Sequence, residues 1–141
     1  MKILSILAAL TLATPVVAHD LGFAGLLSNN NKEDLEPLTL SVGQPIADAP
    51  LMLKSGTAYE IEIEADGTGE LALEGAGFFR AIWINEIVIN GIEIRPLGVD
   101  SIEFDEAGTV EIEFIAIKPG RYELRQPGST GDGQRVEIVI Q

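Results

Sequence analysis

The sequence predicts an all-β fold, an antiparallel Greek-key β-sandwich, on three observations. From Leu38 onward, apolar and polar residues alternate in short runs, the pattern of strands with one face in a core. Glycine and proline breakers separate those runs at short intervals. No segment sustains a helical period long enough for a packed helix, and many short strands with tight turns make a sandwich. The 141 residues make one domain the default, and 46% hydrophobic with 22% charged residues is an ordinary folding composition. No second domain and no internal repeat is visible.

Residues 1–18 read as a secretory signal peptide. Lys2 supplies a positive charge, residues 3–13 are almost wholly apolar, and Val16-Val17-Ala18 ends in a small residue suited to cleavage. A membrane anchor is the competing reading, but the run is too short, Pro15 interrupts it, and no stop-transfer segment follows. With no cysteine after the run, no lipoprotein anchor is expected either. The expected compartment is periplasmic or secreted, with no stable membrane insertion after cleavage. Residues 19–37 form a leader with a small apolar patch (Leu21, Phe23, Leu26, Leu27) and a polar stretch from Ser28 to Asp34; a mobile arm or a short helix is expected. The folded domain is expected over 38–141.

Within that domain, Tyr59, Ile61, Ile63 and Ala65 alternate with Glu60, Glu62 and Glu64. Val110, Ile112, Phe114 and Ala116 alternate with Glu111, Glu113 and Ile115. Tyr122 and Leu124 alternate with Glu123 and Arg125, and Val136, Ile138 and Ile140 close the chain. Residues 78–94 are apolar on both faces and predict a central strand or hairpin covered on two sides, turning at Asn90-Gly91. Breakers stand at Lys54-Ser-Gly56, Asp66-Gly-Thr-Gly69, Gly75-Ala-Gly77, Pro96-Leu-Gly98, Glu106-Ala-Gly108, Lys118-Pro-Gly120, Pro127-Gly128 and Gly131-Asp-Gly133.

Composition narrows the functions. Nine basic residues face 22 acidic ones, a formal net charge of −13, which repels phosphate backbones and anionic lipid and argues against nucleic-acid binding. The absence of cysteine excludes disulfides, zinc–thiolate sites and cysteine nucleophiles, so an exported chain must draw its stability from its core. A single histidine allows no histidine-rich metal cluster.

Five pieces in order carry a family resemblance: Phe104-Asp-Glu-Ala-Gly108, Val110-Glu-Ile-Glu-Phe114, Lys118-Pro-Gly-Arg-Tyr-Glu-Leu124, Pro127-Gly128 with Gly133, and Val136-Glu-Ile-Val-Ile140. Together they resemble the last three strands of a cupredoxin, in which a Pro-Gly-x-Tyr turn leads a strand into the copper loop. Ile84-Asn85 with residues 87–89 resembles the strand that precedes that family's first histidine ligand. The likeness spans residues 50–141 and is best over the last forty. It implies a cupredoxin-type sandwich. The ligands do not carry over: the cysteine position falls on Gln126, the histidine position on Ser129 and the methionine position on Gln134, and no histidine lies near Asn90. A type 1 copper site needs a thiolate and two imidazoles. The resemblance therefore implies the fold and argues against the family's electron transfer.

Several residues remain as candidate sites. His19 would be the first residue after cleavage; its amine and imidazole can chelate copper, with Asp20 adding an oxygen, but a histidine brace requires a second histidine. Glu60, Glu62 and Glu64 project at ~7 Å spacing from one strand face, and Asp66-Gly-Thr-Gly-Glu70 places two carboxylates in a glycine turn that suits calcium. The plainer reading of all these acids is a solvated sheet face. Asp132 sits in the loop that replaces the copper loop, as a recognition residue or as part of a polar turn. Arg80 follows Phe78 and Phe79 and precedes Trp83, as a partner anchor or as an ion-pair partner of nearby acids; Trp83 and at least one of the phenylalanines are expected in the core. No nucleophile has a histidine base within the domain, and no phosphate loop or dinucleotide fingerprint is present.

The function expected from the sequence is a non-enzymatic binding or accessory domain without type 1 copper or another cofactor, meeting another periplasmic protein through its loops. Weak metal handling, with copper at His19 or calcium at acidic loops, is one alternative. A hydrolase using a carboxylate pair is the other.

Overall fold

A computed structural model describes residues 25–141. The signal-peptide expectation and both His19 and Asp20 lie outside the described residues. The elements in chain order are β1 (Lys32–Asp34), β2 (Leu38–Leu40), β3 (Leu51–Leu53), β4 (Ala58–Ala65), β5 (Leu71–Glu74), α1 (Ala76–Phe79), β6 (Ile82–Ile89), β7 (Ile92–Ile94), β8 (Ser101–Phe104), β9 (Gly108–Ala116), β10 (Gly120–Arg125) and β11 (Arg135–Ile140). Among the described residues no helix is long and apolar enough to cross a membrane.

The strands form two sheets packed as a sandwich. The first has the order β1-β4-β9-β6-β7, with β2 also pairing β4; the second runs β3-β11-β10-β5-β8. The long central ladders, β4 with β9, β9 with β6 and β10 with β11, are antiparallel. Both sheets are nevertheless mixed, because β1 and β2 pair β4 in parallel and β3 pairs β11 in parallel. Between β2 and β4 the chain visits the second sheet at β3. A chain that crosses between layers returns in its original direction, which makes parallel neighbours without any hairpin.

The alternating strands bury the faces their sequences specify. Tyr59, Ile61, Ile63 and Ala65 of β4, Val110, Ile112 and Phe114 of β9, and Val136, Ile138 and Ile140 of β11 all lie in the core. Tyr59 and Phe78 both pack against Phe114, with ring centroids 5.8 Å and 5.6 Å from it. The Tyr59 hydroxyl accepts the Lys54 amide at 2.8 Å, so the one polar atom of that buried side chain is satisfied.

Two expectations fail locally. The stretch 78–94 does form a hairpin, β6 with β7, but it is not covered on both faces. Phe78 and Phe79 enter the core from the short helix α1, whereas Trp83 on β6 is 47% exposed. A two-layer sandwich covers each sheet on one side only, so the outer face of β6 has no second layer to hide under. A register shift between Ile84 and Glu86 explains the misleading pattern: the extra residue puts Ile84 and Ile87 on the same buried face although they are three apart. The turn expectation holds. Asn90 (φ 50°) and Gly91 (φ 75°) are both left-handed, as a type I′ hairpin between β6 and β7 requires.

The described part of the leader contains a short helix, of the 3-10 kind. A single 3-10 turn over Asn29–Asn31 leads into β1, and the buried Asn31 side chain donates to the carbonyl oxygens of Leu26 and Gly56.

Candidate functional site

The loop that the sequence resemblance sets at the copper loop joins β10 to β11. Arg125 and Arg135 face each other in the last register pair, and residues 126–134 close the end of the second sheet. Two guanidiniums side by side need an anion, and Glu123 provides it, with Arg125 Nε at 3.1 Å and Arg135 Nη1 at 3.4 Å. The Arg125 hydrogen bond, then that of Arg135, holds the Glu123 carboxyl below the usual carboxylate range.

The fold brings Gln126, Ser129 and Gln134 together. The Gln126 amide donates to the Gln134 carbonyl at 3.0 Å, and Gln134 Nε2 donates to Gln126 Oε1 at 3.4 Å. Ser129 Oγ donates to the Gln126 carbonyl at 2.6 Å, and Arg125 Nη1 donates to the Ser129 carbonyl at 3.2 Å. The three positions are therefore bound to one another. Asn85 stands elsewhere: its side chain donates to Glu113 at 3.1 Å across the first sheet.

Asp132 and Arg80 do not share a site. Asp132 begins the 3-10 turn Asp132–Gln134, accepts from Arg135 at 3.0 Å and 3.2 Å, and borders a groove beside Asp48 and Pro50. Arg80 caps the C-terminus of α1, pairs with Asp100 at 2.9 Å and borders a different groove beside Leu97. The sequence expectation missed a third groove of about 590 Å³ above α1 and β10, between Arg121, Arg125, Tyr122 and Asp100. Its floor is Gly75 and Gly77. Those glycines read as a breaker in the sequence. Gly75 has the further role of letting the chain lie against β10, since a Cβ there would stand 2.8 Å from the Glu123 carbonyl, whereas a Cβ on Gly77 would make only ordinary contact with Tyr122.

The acidic candidates fall into two places. Asp66 is tied within its own turn: Thr68 donates to Oδ1 through its amide at 2.9 Å and its hydroxyl at 2.6 Å. The Thr68 hydroxyl chiefly holds the Asp66 carboxyl below its ordinary value. The glutamates line the outer face of the first sheet, Glu60 opposite Glu113 and Glu62 opposite Glu111, with Glu86 beyond Glu113. Lys32 reaches across β4 to Glu60 at 2.5 Å and Glu113 at 3.9 Å, and its ammonium is raised chiefly by the Glu60 hydrogen bond. Glu111 has no such partner; partial burial first, and Glu60 next, push its carboxyl up. Among the described residues no three His, Cys, Asp or Glu side chains converge as a metal site.

No family profile and no curated protein sequence matches the chain. Solved structures do. A multi-copper oxidase from Pseudomonas thermotolerans superimposes with a TM-score of 0.55 at 15% identity, over 79% of this chain and 30% of that one. A copper nitrite reductase from Nitrosomonas europaea gives 0.52 at 17% identity, over 67% and 33%. A further multicopper oxidase gives 0.50 at 10% identity, over 65% and 32%. The chain thus spans about a third of the length of these proteins. Such identities speak for architecture alone. The arrangement of the two sheets and these likenesses together give the chain a cupredoxin-like β-sandwich fold.

Proposed function

We propose that this chain is a periplasmic or secreted, non-enzymatic binding or accessory domain that keeps the cupredoxin-like scaffold without a type 1 copper site. The carrying observation is the chemistry at the copper-loop positions. Gln126, Ser129 and Gln134 offer amides and a hydroxyl, and their polar atoms bond to each other and to the loop backbone. These donors do not fit a type 1 copper ion, which needs a soft thiolate and imidazoles. Loops held at the end of a rigid sandwich suit contact with another protein.

The carboxylates support a non-catalytic reading. Glu62 and Glu111 face each other on an open sheet rather than in a cleft. In the groove above α1, Glu123 is ion-paired with two arginines and Asp100 with Arg80, and the depressed Glu123 carboxyl is the reverse of what a general acid needs.

Copper titration of the processed protein, beginning at its native His19 amine, tests the reading. The expected result is no intense thiolate-to-copper absorption and no binding tighter than about micromolar, roughly −8 kcal/mol. A blue protein, or tight binding lost on replacing Gln126 or Gln134, would overturn it. Tight colourless binding lost with His19 would instead establish the metal-handling alternative.

A further inference from the structure

The hairpin of β6 and β7 leaves an open sheet edge with two unlike faces. Among the described residues β7 pairs only with β6 and ends the first sheet. Ile89 opposite Ile92 and Ile87 opposite Ile94 are cross-strand pairs on the core side of the sheet. Ile87 is buried, but Ile92 is 65% exposed, Ile94 45% and Ile89 36%. The apolar face of the hairpin therefore runs on past the core. On the other face Glu93 stands opposite Val88, with Glu111 next along the row and Glu86 close by. Arg95 is the cation there, at 3.0 Å from Glu86 and 3.3 Å from Glu93.

Backbone geometry says which groups face outward. A two-residue type I′ turn makes its flanking pair, Ile89 and Ile92, a hydrogen-bonded pair, and such pairs alternate along an antiparallel ladder. Ile94 is then bonded to β6 as well, and the Glu93 N–H and C=O point to the open edge. Exposed edges are normally blunted by lysine, proline or a bulge. β7 has no lysine, proline or bulge; it is three residues long and carries a central glutamate, a charge that turns away an acidic strand and admits a basic one.

We propose that the β7 edge is a docking site for a strand of another protein whose residues alternate between apolar and basic. A strand added to β7 places every second side chain beside Ile92 and Ile94, and the others beside Glu93 and the carboxylates behind it. Only an apolar–basic alternation satisfies both faces. A second copy of this chain is disfavoured. The two-fold register that opposes Ile92 to Ile94 sets Glu93 against Glu93, and each chain carries a net charge of −13. The proposal does not depend on the loop 126–134, which belongs to the second sheet, so the copper experiment and the following one fail separately.

The probe is a blocked heptapeptide of alternating lysine and valine, with lysine at both ends, titrated into the isotope-labelled protein at moderate salt. The control has the same composition in two blocks, lysines then valines. The alternating peptide is expected to bind about fivefold more tightly than the control, the scale of one or two cross-strand pairs. Exchange of the Glu93 amide is expected to slow as it gains a partner. The Ile92→Ser, Ile94→Ser double variant, which keeps the charge, is expected to lose that preference; if it does not fold, the two peptides on the unaltered protein still decide. Equal binding of both peptides, or binding without a change in Glu93 exchange, would overturn the proposal. So would a peptide-free dimer joined through β7.

Discussion

Replacing Glu111 with glutamine should stabilise this protein at neutral pH. The Glu111 carboxylate is partly buried, lies near Glu60 and faces Glu62 directly across the β4–β9 ladder, while Lys32 bonds Glu60 and Glu113 rather than Glu111. Two carboxylates ~6 Å apart repel by ~0.7 kcal/mol at the dielectric constant of water and several times that beside a protein surface, while the nearby ammonium offsets part of it. Measured cross-strand pairs of charges span ~0.2–1 kcal/mol. The expected gain for Glu111→Gln is about 1 kcal/mol at pH 7 and low salt, or roughly 3–5 °C in Tm for a domain of this size. The pH dependence follows from the direction of the shift. Glu111 is raised in the folded state, so the folded chain holds more protons than the unfolded one just above the ordinary carboxyl range, and stability falls as pH rises through that window. The glutamine variant has no such loss. Its advantage should be full above the raised folded value and gone by about pH 4, where Glu111 is protonated in both states. Urea denaturation of both proteins across that range measures it, and molar salt should shrink the gain because the screening length falls to ~3 Å. A variant less stable at pH 7, or an equal advantage at pH 3.5 and 7, would refute the account of this sheet face.

Three further substitutions probe the core and the groove, each read by denaturant midpoint. Leu73 on β5 is fully buried, and Leu73→Ala should cost about 2–5 kcal/mol through lost burial and the cavity left behind. Tyr59→Phe should cost about 1 kcal/mol, because the Lys54 amide loses its acceptor while the ring packing against Phe114 remains. Gly75→Ala should cost about 1–3 kcal/mol, since the added methyl meets the Glu123 carbonyl and the Leu124 side chain. An unchanged midpoint for Gly75→Ala would show that α1 can shift away from β10.

The sequence was most legible where one strand has one wet and one dry face. β4, β9 and β11 bury the apolar members of their alternations, and β10 buries Leu124 with Tyr122 partly covered, because a period of two leaves no second solution. Asn90-Gly91 was equally legible, since few residues tolerate two left-handed positions in succession. Trp83 was not: an apolar run states that a residue prefers burial, not that a layer exists to bury it. The shift at Asn85 added to the error by moving Ile84 and Ile87 onto one face. Of the candidate site, the sequence placed Gln126, Ser129 and Gln134 in one loop between two strands, and the hydrogen bonds that join them came only with the structure. The groove on Gly75 and Gly77 was not, because a glycine pair reads the same whether it ends a strand or makes room beside one.

By itself the sequence determined the strand faces, the tight turns, the acidic character and the absence of cysteine, all properties of neighbouring residues or of composition. Tertiary structure alone decided that β1, β2 and β3 join as parallel neighbours, that glutamates from four strands line one face, and that among the described residues β7 is left at an open edge. Those outcomes depend on which distant segments share a sheet, and pairing across the sheet is set by the packing of the whole chain rather than by any local run.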